Sequence, residues 1–323
     1  TCIRARYCLK VRLSPNSLHQ KIPLSSAGRP RPKKKILNPY IWWQTKRAEY
    51  TTQLLDPKYL CKVKWPMQNH GVECEEFSLT VADRRFIVSL LSPAHDRLAR
   101  DPALLLTFAA GREGSLFSAT YRHTAEAFLG AGHRALSFDF IGHGERIDRF
   151  GPGIDGLRNS LVLGGVDPFS VFAEDASAVI DTCVGRGLVR PGRIAASGTS
   201  RGGYLALYLL AHEPRVAVAA GFAPVTDWRV LAEFKDDMER PEVAALAMKH
   251  RAAQIAGRSV FLAIGRNDMR VGTDTCVALY ERLAATGIEV EFSLTNDPGH
   301  RMGIAGYEHG AAWLLERISS VEK

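Results

Sequence analysis

From residue 74 onward, apolar positions fall into short, regular blocks. Residues 76–81 alternate polar with apolar, as a strand with one buried face does, and 85–91 follow after a tight turn at Ala82-Asp83. Residues 103–108, Ala-Leu-Leu-Leu-Thr-Phe, form a continuous apolar run, the pattern of a strand covered on both faces. Further strands are predicted at 133–139, 193–197, 216–221, 259–264 and 289–294. Between them the apolar spacing becomes helical at 120–129, 171–184, 201–211, 276–285 and 307–318. Strands alternating with helices of about 10–15 residues predict an α/β fold, with a mostly parallel central sheet and helices on both faces. The tightly joined first pair forms an antiparallel N-terminal edge. No internal repeat is present.

Residues 1–70 follow no such period. They carry Pro23, Pro30, Pro32 and Pro39, which interrupt any helix, and the run Gly28-Arg-Pro-Arg-Pro-Lys-Lys-Lys35. This divides the net charge of +8: the segment holds fifteen Lys and Arg against Glu49 and Asp56, while the remaining 253 residues balance at −5. It reads as a basic, flexible N-terminal segment ahead of one domain over 71–323, with a targeting peptide or a nucleic-acid arm as the competing readings. One-sided charge without a recognisable binding module gives nucleic acid little support.

The hydrophobic fraction of 46% and charged fraction of 24% are those of an ordinary globular protein. The longest uncharged apolar stretch, 216–225, is far short of the roughly 20 residues that span a bilayer. Six scattered cysteines without a C-x-x-C pair argue for free thiols, against a metal site, and for a cytoplasmic location that leaves room for a targeting segment. No cofactor is called for, and the oligomeric state is open.

The strongest chemical signal is Ser197-Gly-Thr-Ser-Arg-Gly-Gly203, set between a predicted strand and a predicted helix. A G-x-S-x-G in that setting is a nucleophile elbow: the chain turns sharply at Ser200, and the flanking glycines let the backbones pass. A serine hydroxyl needs a base, and the base needs an acid to fix its tautomer. Both should lie just past the carboxyl ends of later strands. The strand over 259–264 runs into Gly265-Arg-Asn-Asp268, offering Asp268 as the acid; Asp274 competes but suits the N-terminus of the following helix better. His300, in Asn296-Asp-Pro-Gly-His300, follows the last strand and precedes the last helix, whereas His309 falls within that helix and His143 precedes the serine. For an oxyanion hole, the N–H of Arg201 should serve as one donor, and that of Ala110 or Gly111, after the third strand, as the other.

With these pieces the chain resembles the α/β-hydrolase superfamily, in the branch of dienelactone-hydrolase-like and prolyl-oligopeptidase-like esterases. The resemblance rests on Gly198-Thr-Ser-Arg-Gly-Gly203, Asp139-Phe-Ile-Gly-His-Gly144, Gly265-Arg-Asn-Asp268 and Pro298-Gly-His300, and covers about residue 74 to the C-terminus. It implies the α/β-hydrolase fold and a Ser200–His300–Asp268 triad acting through an acyl-enzyme. Two departures matter. The loop after the third strand reads Ala109-Ala-Gly111 where such proteins resemble His-Gly-Gly, and the N-terminal segment is too short for the propeller that limits prolyl oligopeptidases to peptides, so peptidase activity is not implied. The nucleophile is serine where dienelactone hydrolases use cysteine, which points to carboxylic esters.

The expected substrate is therefore a small carboxylic ester. Thioesterase, lactonase or acyltransferase chemistry at the same triad, or a non-catalytic binding role, stand as alternatives. Residues 224–258, between two core strands, read as a solvated helix pair or a partial lid. Arg112, Arg146 and Arg149, with Arg201, Arg270 and Arg301, fall in loops at the catalytic edge, where a cationic rim would favour substrates bearing a carboxylate or phosphate.

Overall fold

A computed structural model describes residues 71–255 and 257–320; the basic segment over 1–70 lies outside them. β1 (Val72–Val81) and β2 (Arg84–Pro93) pair antiparallel, with Val81 opposite Arg84. Their two-residue turn needs a left-handed backbone at its first position, which Ala82 supplies at φ 53°. β3 (Leu104–Phe108), β4 (Arg134–Phe138), β5 (Ile194–Thr199), β6 (Val216–Phe222), β7 (Ser259–Gly265) and β8 (Val290–Thr295) complete an eight-stranded sheet in the order β1-β2-β4-β3-β5-β6-β7-β8. β2 meets β4 antiparallel, and every later pairing is parallel. This is the α/β-hydrolase fold that the sequence implies.

The continuous apolar strands are explained by a core on each face of the sheet. Leu104, Leu106 and Phe108 of β3 join one core, while Leu105 joins the other. β7 divides the same way: Val260, Leu262 and Ile264 against Phe261 and Ala263. The first core is covered by α4 (Pro168–Gly185), α5 (Arg201–His212) and α7 (Thr273–Ala285); the second by α2 (His123–Gly130) and α8 (Ile304–Ser320). From Gly202 to Ala211 every residue of α5 is buried, so this helix is apolar all round and packs beneath β5 and β6.

Three helices have no periodic signal in the sequence: α1 (Arg112–Phe117), α3 (Gly153–Val162) and the single turn α6 (Pro241–Ala244). α3 contains two glycines, which weaken helix propensity. Gly156 is nonetheless required there, because a β-carbon would stand 2.1 Å from the carbonyl oxygen of Gly151.

The stretch 224–258 is not a helix pair but a chain of 3₁₀ turns around α6. Its apolar residues Trp228, Phe234, Val243, Met248 and Ile255 are buried in the first core, and Tyr204 Oη donates to Leu246 O at 2.9 Å. Four of its acids are engaged by arginines: Asp227 by Arg229, Glu233 by Arg270, Asp237 by Arg158 and Glu242 by Arg240. Among the described residues, no helix is long and apolar enough to cross a membrane, and no cluster of three or more His, Cys, Asp or Glu could hold a metal ion.

Candidate active site

β5 ends at Thr199 and α5 starts at Arg201, leaving Ser200 alone in the turn at φ 58° and ψ −120°. L-residues avoid this region at a cost of about 1–3 kcal/mol, so the surroundings must hold it. They do: Ser200 N–H donates to Phe222 O at 2.9 Å, and Ser200 O accepts from Tyr204 N–H at 3.2 Å and Val225 N–H at 3.0 Å. The elbow also presses against β3. A β-carbon on Gly202 would lie 2.0 Å from Phe108 O, and one on Gly198 would lie 2.1 Å from Gly202 O. Glycine is the residue that closes this turn.

β7 delivers Asp268 and β8 delivers His300 to the same edge. His300 Nε2 lies 2.9 Å from Ser200 Oγ, and His300 Nδ1 lies 2.8 Å from Asp268 Oδ2. A carboxylate can only accept, so Nδ1 carries the proton and Nε2 is left to accept from the serine hydroxyl. Asp268 is buried; Oδ1 accepts the N–H groups of Arg270 at 2.9 Å and Val271 at 3.2 Å. Burial alone would raise its pKa, but the hydrogen bond and charge of His300 and these two N–H donors outweigh it and hold the carboxyl below the usual range.

The loop carrying His300 is itself braced. Asp297 Oδ2 accepts from Thr295 Oγ1 at 2.8 Å and from Gly303 N–H at 2.9 Å, tying the two ends of the loop. The competing candidates fall elsewhere. Asp274 sits in the first turn of α7, and His309, on α8, packs edge-on against Phe261. His143 is buried and stacked on Phe140, and burial, aided by the charge of Arg201, pushes its pKa down to about 4.

A cavity of about 510 Å³ opens over Ser200 and His300. Ala110 and Arg201 line it, and neither N–H has a partner among the described residues. Ala109 N–H is instead taken by Ser115 Oγ at 2.9 Å. Gly111 lies off the cavity wall: its carbonyl accepts from Ser115 N–H, and a β-carbon there would meet Asp139 Oδ1 at 2.9 Å.

The three arginines offered first as substrate contacts are not on this wall. Arg112 is buried between Glu76 and Ser89. Arg146 donates to Asp175 Oδ2 at 2.7 Å and lies over the Phe86 ring, while Arg149 stacks on Phe150. Glu76 on β1 and Asp175 on α4 draw the first two guanidiniums away, a pairing that loop position in sequence does not reveal. Arg201, Arg270 and Arg301 do line the cavity. So do Thr199 and Tyr307, joined at 3.0 Å between their hydroxyl oxygens, and Tyr121 and Met302. Nothing in the sequence pattern singled these four out, because each reads as an ordinary core or helix residue.

The prolyl oligopeptidase family matches residues 170–320, a stretch that contains Ser200, Asp268 and His300. No curated protein matches the chain in sequence. Among solved structures, the acetyl xylan esterase from Paenibacillus sp. R4 superposes with a TM-score of 0.65 at 19% identity, over 86% of this chain and 93% of that one. Acetyl xylan esterase 1 from Thermoanaerobacterium sp. JW/SL YS485 gives 0.62 at 19%, over 87% and 93%. The acylaminoacyl peptidase of Pyrococcus horikoshii gives 0.61 at 15%, over 80% of this chain but 43% of that one, so the present chain spans less than half of the peptidase. Sheet order, elbow and family match agree: the chain has the α/β-hydrolase fold, and its residues 170–320 are similar to the prolyl oligopeptidase family.

Proposed function

We propose that this protein is a metal-independent serine hydrolase that cleaves small carboxylic esters through an acyl-enzyme. The observation that carries the reading is the unbroken chain from Asp268 through His300 to Ser200, at 2.8 and 2.9 Å, opening on the cavity. In this scheme His300 Nε2 takes the hydroxyl proton as Ser200 Oγ attacks the carbonyl carbon. Asp268 stabilises the imidazolium without taking its proton. The oxyanion accepts from the N–H groups of Arg201 and Ala110, and the start of α5 adds its dipole. His300 then protonates the departing alcohol, and a water attacks the acyl-enzyme by the same route in reverse.

An ester is favoured over a peptide by the size of the cavity, which suits a small ligand. The named esterases, similar over nearly their whole length, support the same choice. A binding protein on this fold would have no need for both hydrogen bonds of the triad. Ser200→Ala should lower kcat on p-nitrophenyl butyrate by about 10⁴-fold or more and abolish covalent labelling by a fluorophosphonate probe. Unchanged labelling in the variant would place the nucleophile elsewhere.

A further inference from the structure

The cavity wall bears three arginines, Arg201, Arg270 and Arg301, and no Asp or Glu among its lining residues. Arg270 is compensated: its guanidinium forms a two-pronged pair with Glu233, with Nη1 to Oε2 at 2.8 Å. The other two are not. Neither Arg201 nor Arg301 has an ion-pair or side-chain hydrogen-bond partner among the described residues, and Arg201 Nε is fully enclosed without an acceptor. Arg301 is exposed, next in sequence to His300, whereas Arg201 is half-buried; burial, with the neighbouring cation of Arg270, lowers its pKa, and the charge of Glu233 opposes this only in part. The other titratable groups nearby do not offset this charge. Burial raises the pKa of Tyr307 to about 12 and lowers that of His143 to about 4, so both are neutral in ordinary solution.

Elsewhere in the protein, several buried and half-buried arginines meet acids (Arg84 with Asp175, Arg215 with Glu213, Arg158 with Asp237), and Arg134 and Arg251, which do not, donate to the carbonyls of Leu188 and Ala245. An enclosed cation left alone forfeits solvation without gaining a partner, a cost that a fold keeps only where something else supplies the anion. Guanidinium also matches the two-oxygen face of a carboxylate or phosphate.

We propose that Arg201 and Arg301 form an anion subsite in the catalytic cavity, so that the preferred ester carries a carboxylate or phosphate on its acyl or its alcohol part. This rests on the serine-esterase reading and adds the substrate class to it.

The test compares kcat/KM for three matched pairs. They are mono-p-nitrophenyl glutarate with its methyl ester, the butyrate of 4-hydroxybenzoate with that of its methyl ester, and the butyrate of 4-hydroxyphenyl phosphate with that of its dimethyl ester. In at least one pair the anionic member should lead by tenfold or more, and the pair identifies which group and which side the subsite reads. Arg201→Gln or Arg301→Gln should cut that ratio tenfold, and Arg201→Lys should restore part of it; a ratio cancels any general loss of activity or folded protein. Serine-dependent cleavage of the neutral members with no anionic preference, or a preference that survives both glutamines, would overturn this inference alone. Failure to cleave any of the six esters would overturn the reading beneath it.

Discussion

Ser200 and Asp268 are each held against a local preference, one conformational and one electrostatic. The serine keeps a left-handed backbone because Phe222, Tyr204 and Val225 take up both of its peptide groups. The aspartate keeps its charge although buried, because His300 and the N–H groups of Arg270 and Val271 stabilise the ionised form more than desolvation penalises it. Its pKa therefore lies below the ordinary carboxylate range, and Asp268 is ionised around neutrality. Any fall in turnover on mild acidification must then come from another group. Asp268→Asn preserves the size of the side chain but turns a donor toward Nδ1, which forces the imidazole into the wrong tautomer. We expect kcat on p-nitrophenyl butyrate to drop by about 10⁴-fold, with the change in KM much smaller. A loss below tenfold would show that Asp268 does not orient His300.

At the scale of elements, the elbow depends on three strands and one helix meeting without β-carbons in the way. Gly202→Ala places a methyl group on Phe108 O, and β3 cannot yield because Phe108 is itself locked edge-on against Phe138 and Phe172, with centroids 5.4 and 5.0 Å away. Overpacking of this kind costs about 1–3 kcal/mol, so Tm should fall by at least about 3 °C, and ester hydrolysis should fall further than the loss of folded protein explains. A variant with unchanged Tm and activity would mean that β3 and α5 are not in rigid contact. The same elements show why so much of the site was legible. A turn that only glycine can close must write Gly198 and Gly202 into the chain, and strands buried on both faces must write continuous apolar runs. The helices α1 and α3 escaped because they are short or glycine-bearing and are held by tertiary contacts. The cavity wall escaped for a related reason. Arg112 and Arg201 each open a helix that follows a strand, and it is Glu76 and Ser89, brought in from the first hairpin, that separate the paired cation from the one without an acidic partner among the described residues.

At the scale of the whole molecule, an ion-pair network away from the catalytic cavity fastens elements of the fold together. Between α4 and the turn from α5 into β6, Glu213 is buried and accepts from Arg215 Nε at 2.7 Å and from Ser177 Oγ at 2.8 Å. Arg215 also reaches Asp181, so one network fastens α4 to the turn that feeds β6. Burial would raise the pKa of Glu213, but its hydrogen bonds and charge pairing with Arg215, helped by Ser177, bring it below 4.5. A depressed carboxyl stabilises the fold above its unfolded value, and that stability is lost as pH falls through the folded value. Glu213 should therefore contribute fully at pH 6 and progressively less below pH 4.5. Glu213→Gln removes one partner of a buried pair, at a cost of about 3 kcal/mol near neutrality. Urea unfolding of the variant should accordingly show a stability deficit that is constant above pH 5 and shrinks towards pH 3. The ratio of anionic to neutral ester turnover should stay as in the parent, since Glu213 does not line the cavity. A deficit that grows on acidification would reverse the sign of the linkage and remove Glu213 as an ionised anchor of the fold.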